Sequence, residues 1–340
     1  GKIMNKKILL PLAFGICAAL FTACGDDNGS NAPETPLSSA SVEQPVSSAD
    51  IVPPSSSTDL VPPSSSTDLA PVSSADAQPG IASSSSVPVD DPNVTYTYYG
   101  AELTGLDQFT YGRFEARMKM VSIPGSVSSM FLYYDPSYKL GVEPWNEIDI
   151  EVLGKGGTSW QANLITREVD GDDGKKNPKL TSETKTEFGF DATEDFHLYA
   201  MIWTPEYIAW EIDSVEIRRD VVGTPHPKNA NHDQVAFMTE QQSLRFNLWA
   251  SSSAAWVGKF TGAELAAGPQ IQWIDYVRVY KYDTAAKTFT LDWQDDFDGN
   301  DLSDHWSAGN WEMEKVVLSR DNVVVEDGYC KLLMTREADN

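Results

Sequence analysis

The residues beyond Tyr96 are predicted to fold as an all-β antiparallel sandwich of jelly-roll architecture, and three observations lead there. Short runs rich in Val, Ile, Tyr, Phe, Trp and Thr recur, each bounded by Gly, Pro, Asn or Asp. That is the pattern of strands separated by turns. No long stretch carries a helical period, and only Thr261–Ala267 offers one short helical turn. Without crossover helices, neighbouring strands run antiparallel and stack as a sandwich. Finally, Trp145-Asn146-Glu147-Ile148-Asp149-Ile150-Glu151-Val152 alternates acid with apolar residue at a period of two. A strand with that period directs all three acids to one sheet face and the isoleucines to the other. A curved sandwich offers one concave face able to hold a long ligand.

The elements follow in order. Lys6 and Lys7 precede an apolar run from Ile8 to Ala23 that ends at Phe21-Thr22-Ala23-Cys24-Gly25. The run is short for a membrane span and is read as a targeting segment over residues 1–24. Its end resembles the bacterial lipoprotein signal, with Phe21 and Thr22 departing from the usual Leu and Ala or Ser. That resemblance implies an acylated Cys24, export, and anchoring to a membrane or cell surface. Residues 25–95 follow as a spacer. From Asp26 to Pro92 there is no aromatic residue and no Lys or Arg, and a Ser/Pro/Asp-rich nine-residue unit beginning at Asp50 repeats at Asp59. Nothing in it can fill a core, so it is expected to be disordered. Cys17 would leave with the signal and Cys24 would carry lipid. Cys330 then remains without a bridging partner and is expected as a small buried hydrophobe.

Composition changes abruptly at Tyr96, and all ten Trp lie beyond residue 140. Strands are expected at Gly112–Met120, Ser126–Tyr134, Trp145–Leu153, Ser159–Thr166, Phe196–Trp203, Tyr207–Ile212, Val215–Arg219, Leu244–Trp249, Ile271–Tyr282, Phe289–Phe297 and Lys331–Thr335. Residues 96–340 form the folded domain in this reading, expected as a monomer. The formal charge of −25 argues against nucleic acid and anionic lipid as charge-bound partners. A neutral polysaccharide is indifferent to it. The four His show no zinc spacing.

The acid triplet carries the chemistry. Neighbouring acids lie roughly 6.6 Å apart at about 3.3 Å per residue. Carboxyls that close repel and push their pKa values apart. Cleavage of a glycosidic bond needs two carboxylic acids in different protonation states. Glu147 and Glu151 have Cα atoms about 13 Å apart on a flat strand, and both side chains are long enough to lean toward one bond.

Pro144 to Lys155, with the acid triplet inside it, resembles the signature of glycoside hydrolase family 16 in its lichenase branch. Tyr111-Gly112-Arg113-Phe114-Glu115-Ala116-Arg117-Met118-Lys119, Arg245-Phe246-Asn247-Leu248-Trp249 and Ala255-Trp256-Val257-Gly258 resemble further family segments. The resemblance covers about residues 96–337 and implies a concanavalin-like jelly roll. Asp292 to Asp298, and on through Trp306 and Trp311 to Arg336, resembles what opens the chain in most members. Here it closes the chain, as in naturally circularly permuted lichenases of rumen bacteria. The ends near Tyr96 and Arg336 should then be neighbours in space.

The resemblance implies retaining endo-hydrolysis of mixed-linkage β-1,3-1,4-glucan, with no cofactor required for the chemistry. It makes Glu147 the nucleophile and Glu151 the acid and then the base, with Asp149 between them accepting a hydrogen bond from Glu147. Substrate-contacting positions carried over are Glu102, Phe131, Tyr133, Trp145, Gln161, Asn163, Arg245, Asn247, Trp249, Trp256 and Trp311. Trp203, Trp210 and Trp273 are left as core. A structural Ca²⁺ is implied at Asp275, Asp296 and the carbonyl of Gly328. Members that cut β-1,3-glucans usually carry one extra residue between the Asp and the second Glu, as a bulge. Its lack here favours mixed-linkage glucan over laminarin, although xyloglucan-active members lack it too. A non-catalytic carbohydrate-binding sandwich is the alternative of a different class.

Overall fold

In the computed structural model the described residues are 94–339. The targeting segment and nearly all of the spacer lie outside them. Eighteen strands follow one another: β1 Tyr96–Gly105, β2 Gly112–Lys119, β3 Ser126–Tyr133, β4 Trp145–Leu153, β5 Ser159–Arg167, β6 Leu180–Thr181, β7 Thr184–Glu187, β8 His197–Trp203 and β9 Tyr207–Ile212. Then come β10 Val215–Val221, β11 Ser243–Ala250, β12 Gln270–Asp283, β13 Thr288–Asp295, β14 Trp306–Ala308, β15 Glu312–Met313, β16 Val316–Leu318, β17 Val323–Glu326 and β18 Tyr329–Ala338. The α-helices among the described residues are single turns, α1 Gln234–Phe237 and α2 Ala254–Val257. The helical turn expected near residue 261 is a 3₁₀ turn over Ala263–Ala267.

The strands form two layers. One runs β14-β1-β11-β3-β4-β5, with β6 and β7 sharing the far edge of β5. The other runs β10-β9-β8-β2-β12, with β13 and β18 along the outer edge of β12 and β17 beyond β18. The core holds Met130, Leu132, Ile148, Ile150, Phe246 and Leu248 from the first layer. Phe114, Met118, Tyr199, Met201, Trp203 and Trp210 come from the second. The two isoleucines of the acid-triplet motif thus point inward as their alternation predicts. Burying side chains of this size stabilises by roughly 1.5–3 kcal/mol each. Cys330 is fully buried, as expected.

Three sequence expectations are corrected. β1 was missing from the expected strands. Its residues 96–99 pair with β18 and its residues 101–104 with β11. The strand changes neighbours at Gly100, where a Cβ would fall 2.5 Å from the Leu248 carbonyl oxygen. No single alternation survives that change. β6, β7 and β14 to β17 span two to four residues each, too few for a period to show. Trp273 is not core. It is half-buried on β12, with Lys119 Nζ 5.4 Å and Lys331 Nζ 4.6 Å from its ring centre.

Tyr96 lies opposite Ala338 and Tyr98 opposite Arg336. The two ends of the folded part are therefore strand neighbours.

Candidate active site

β4 pairs with β3 and β5 without a register shift, from Glu147 to Leu153 on one side and from Trp145 to Glu151 on the other. That unbroken ladder leaves no bulge between Asp149 and Glu151. It also decides which side chains share their face. Tyr133, Phe131 and Ser129 stand opposite Glu147, Asp149 and Glu151 on β3. On β5 the matching residues are Ile165, Asn163 and Gln161. Arg245 lies opposite Phe131 and Asn247 opposite Ser129, and Glu102 lies opposite Asn247. The sequence-predicted acids and polar residues are thus brought onto one sheet face, across five adjacent strands.

Glu147 and Glu151 are half-buried and Asp149 is buried. Each carboxyl has its own support. Trp145 Nε1 donates to Glu147 Oε2 at 2.6 Å. Gln161 Nε2 donates to Glu151 Oε2 at 2.8 Å, and Trp256 Nε1 donates to Gln161 Oε1 at 3.4 Å. Trp210 Nε1 donates to the main-chain oxygen of Asp149 at 2.9 Å, which fixes the strand from its core side.

Burial and mutual repulsion raise all three carboxyls. Glu151 is pushed up to about 8, first by desolvation and then by the charge of Glu147. Desolvation also raises Glu147, against the pull of the Lys179 ammonium and hydrogen bonds from Trp145 and Asp149. Asp149 is raised well above the usual carboxyl range by desolvation and by both glutamates. The hydrogen bond between the two side chains raises Asp149 and lowers Glu147. Asp149 Oδ2 has no hydrogen-bond partner.

Around this centre, Glu102 is buried and raised by desolvation, while Arg245 and Asn247 pull it back down. Arg245 Nη1 and Asn247 Nδ2 each approach its carboxylate to 3.4 Å, and Thr104 Oγ1 donates to it at 3.1 Å. Arg245 also pairs with Asp135. Ser129 Oγ donates to Asn247 Oδ1 at 2.6 Å, and the Ser182 N–H donates to Asn163 Oδ1 at 3.1 Å. The half-buried Trp311 flanks Glu102, since a Cβ on Gly309 would fall 2.9 Å from its ring and 3.1 Å from Glu102 Cβ.

The aromatic candidates divide. Phe131, Tyr133 and Trp145 form a buried cluster with Ile165 beside the Glu147 end. Trp145 is only 4% exposed, and Lys179 Nζ lies 3.5 Å from its ring centre. Its ring is not an open sugar platform, and its contribution is the N–H to Glu147. Trp249 is buried and packs against the half-buried Trp256 at 6.1 Å between centroids. Trp256 and Trp311 keep the exposed area of this set.

Sequence reasoning missed Lys179, Asp135, and the pair Glu183 and Lys185, whose charges act on Glu151. Asp135 opens a single 3₁₀ turn over Asp135–Tyr138, Lys179 lies on an irregular segment, and β7, which holds Lys185, is four residues long. None of these carries a period from which facing could be read.

Asp275, Asp296 and Gly328 lie elsewhere. Ile274 pairs with Cys330 and Val277 with Asp295, so the three meet where β18 gives way to β13 along β12. Their fit to a cation is poor. Arg117 Nη1 holds the Asp275 carboxylate at 2.5 Å and Gln294 Nε2 donates to Asp296 at 3.0 Å. Among the described residues no three His, Cys, Asp or Glu side chains group as a metal shell.

The sequence profile of glycosyl hydrolases family 16 matches residues 78–274. A beta-glucanase of Fibrobacter succinogenes is 42% identical over 246 residues, 71% of this chain and 64% of that protein. A beta-glucanase of Acetivibrio thermocellus is 33% identical over 49% of this chain and 43% of its own length. The chain thus spans less than two thirds of the length of these relatives. A solved Bacillus licheniformis beta-glucanase is 29% identical over 47% of this chain and 64% of its own, with a TM-score of 0.37.

Proposed function

Since the chain belongs to the glycosyl hydrolases of family 16, we propose that it cleaves mixed-linkage β-1,3-1,4-glucan internally, with retention of configuration. One observation carries this reading: the unshifted register of β4 puts Glu147, Asp149 and Glu151 on one sheet face, with an indole N–H on Glu147 and an amide N–H on Glu151. Glu151 holds its proton near neutrality and serves as general acid. Glu147 has an ammonium and two hydrogen bonds favouring its anion, and serves as nucleophile.

Glu147 attacks the anomeric carbon as the bond to the departing oxygen breaks, and Glu151 gives that oxygen its proton. Glu151, now a carboxylate, takes a proton from water as the water attacks the same carbon and frees Glu147. Retaining chemistry needs carboxyls about 5–5.5 Å apart, and two Glu side chains at the ends of a four-residue interval of β4 are long enough to lean toward one bond. Glu102, Arg245, Asn247 and Trp311 bind the sugar chain on the β1–β11 side, and Gln161, Asn163 and Trp256 bind it beside Glu151. The straight register of β4 favours mixed-linkage glucan over laminarin.

A reducing-sugar assay on barley β-glucan, lichenan, laminarin and xyloglucan tests this. The expected result is release from the first two alone. Release from laminarin or xyloglucan instead would move the specificity within the family. Binding without release from any of them would make the chain a carbohydrate-binding module.

Two further proposals accompany this one. The chain is exported and anchored through acylated Cys24, and Cys24→Ser would shift it from the membrane to the soluble fraction. A structural calcium at the β12–β13–β18 junction would require Arg117 to release Asp275. Because that ion pair already engages the carboxylate, an unchanged Tm with EDTA is expected, and a lower Tm would show that calcium binds there, since a bound ligand stabilises by mass action.

A further inference from the structure

Lys179 ends the irregular segment between β5 and β6, one residue before Leu180. Its Nζ lies 3.5 Å from the centre of the Trp145 ring. Tyr133 meets that ring edge-on, at 5.7 Å between centroids. The indole Nε1 donates to Glu147 Oε2 at 2.6 Å. Ammonium, indole and carboxyl are therefore in successive contact.

Two effects of one sign follow. A cation over an aromatic face is held by the ring's negative potential, and by drawing on that density it makes the N–H a stronger donor to a carboxylate. An opposite charge a few ångströms away also favours the ionised form of a carboxyl directly. Both compete with the groups that oppose ionisation of Glu147. Glu102 on β1 is one, its charge raising Glu147, and Glu151 is a further carboxyl on the same strand, whereas Asp149 lowers Glu147 through its hydrogen bond. On β3 the residue opposite is Tyr133, and on β5 it is Ile165. The guanidinium of Arg245 on β11 is engaged with Glu102 and Asp135.

We propose that Lys179 is a positioning residue for the nucleophile: seated on the Trp145 indole, it supplies the positive charge that keeps Glu147 an anion while the sugar is bound. This rests on Glu147 being the nucleophile. It also gives the segment between β5 and β6 a task in the chemistry, and it explains why the Trp beside Glu147 is enclosed rather than open to a sugar ring.

The test uses the full chain and the pH dependence of kcat/KM on barley β-glucan. Lys179→Met should raise the acidic limb, which reports Glu147, by about one pH unit. The rate below that limb should then fall about tenfold, more than at the plateau. Lys179→Arg should restore the limb. In a Trp145→Phe background, Lys179→Met should move the limb less, since part of the influence passes through the N–H. A limb unmoved in a folded Lys179→Met protein overturns the proposal, as does a rise in KM with no change in the limb. Turnover by Glu147→Gln at the wild-type rate would instead remove the nucleophile reading itself. An inactive Glu147→Gln beside an unmoved Lys179→Met limb would remove this inference alone.

Discussion

Glu147 and Glu151 are the same side chain in one strand, and their neighbours make them different acids. Glu151 meets the Gln161 amide and the carboxyls of Glu147 and Glu183. Glu147 meets an indole N–H, an ammonium and the carboxyl of Asp149. The alkaline limb of activity should therefore lie near pH 8, where Glu151 loses its proton. Glu151→Gln should abolish that limb and cost about 10²–10⁴ in kcat on glucan, the usual range for general acid–base catalysis. It should cost far less on an aryl glucoside oligomer whose leaving group needs no proton, and steady-state kinetics on both substrates measure the difference. Most of this centre was legible in the sequence, because three acids at a period of two can only share a face. The rise of the Asp149 carboxyl was not, since it depends on how deeply the fold buries it. Lys179 was not legible either, because its segment carries no period.

Among the elements, β4 is held from behind as well as along its edges. Asn146, fully buried, accepts the N–H groups of Thr239 and Glu240 through Oδ1 at 2.9 and 3.0 Å. The insertion that leads into α1 is tied down nearby. Gln234 Nε2 donates to the carbonyls of Leu164 and Leu180, at 3.1 and 3.2 Å. His232 bridges Thr166 and Glu168. The segment between β10 and α1 is thus fastened to β5 and β6. Such fastening by single side chains is invisible to patterning, which reports faces and not partners. Asn146→Ala should remove the acceptor of two part-buried N–H groups and cost about 1–2 kcal/mol, at roughly 0.5–1.5 kcal/mol per hydrogen bond. Urea unfolding would measure the loss. An unchanged midpoint would show that the contact carries no stability.

At the scale of the whole molecule, the cleft acids couple function to stability. Between an ordinary carboxyl near 4.5 and the folded value of about 8 for Glu151, the folded chain keeps a proton that the unfolded chain has released. Stability therefore falls as pH rises through that window. Glu151→Gln should raise Tm at pH 8 and leave it nearly unchanged at pH 4, as differential scanning calorimetry would show. The joined ends permit a second change of this scale. β1 and β18 lie side by side from Tyr96 opposite Ala338 to Tyr99 opposite Thr335, while β12 and β13 meet across the exposed turn after Asp283. We infer that the order of segments is a permutation of the common family order. The strands after residue 274, outside the profile match, complete both layers. Cutting between Asp283 and Lys287 and linking Ala338 to Tyr96 through a short Gly/Ser linker should then leave the contacts of the core and of the acid face in place. The rearranged domain should fold with a Tm within a few degrees of the original and retain its glucan hydrolysis. A soluble but unfolded product would mean that the β12–β13 turn is needed to nucleate the sandwich, and that adjacency of the ends is not sufficient for reordering.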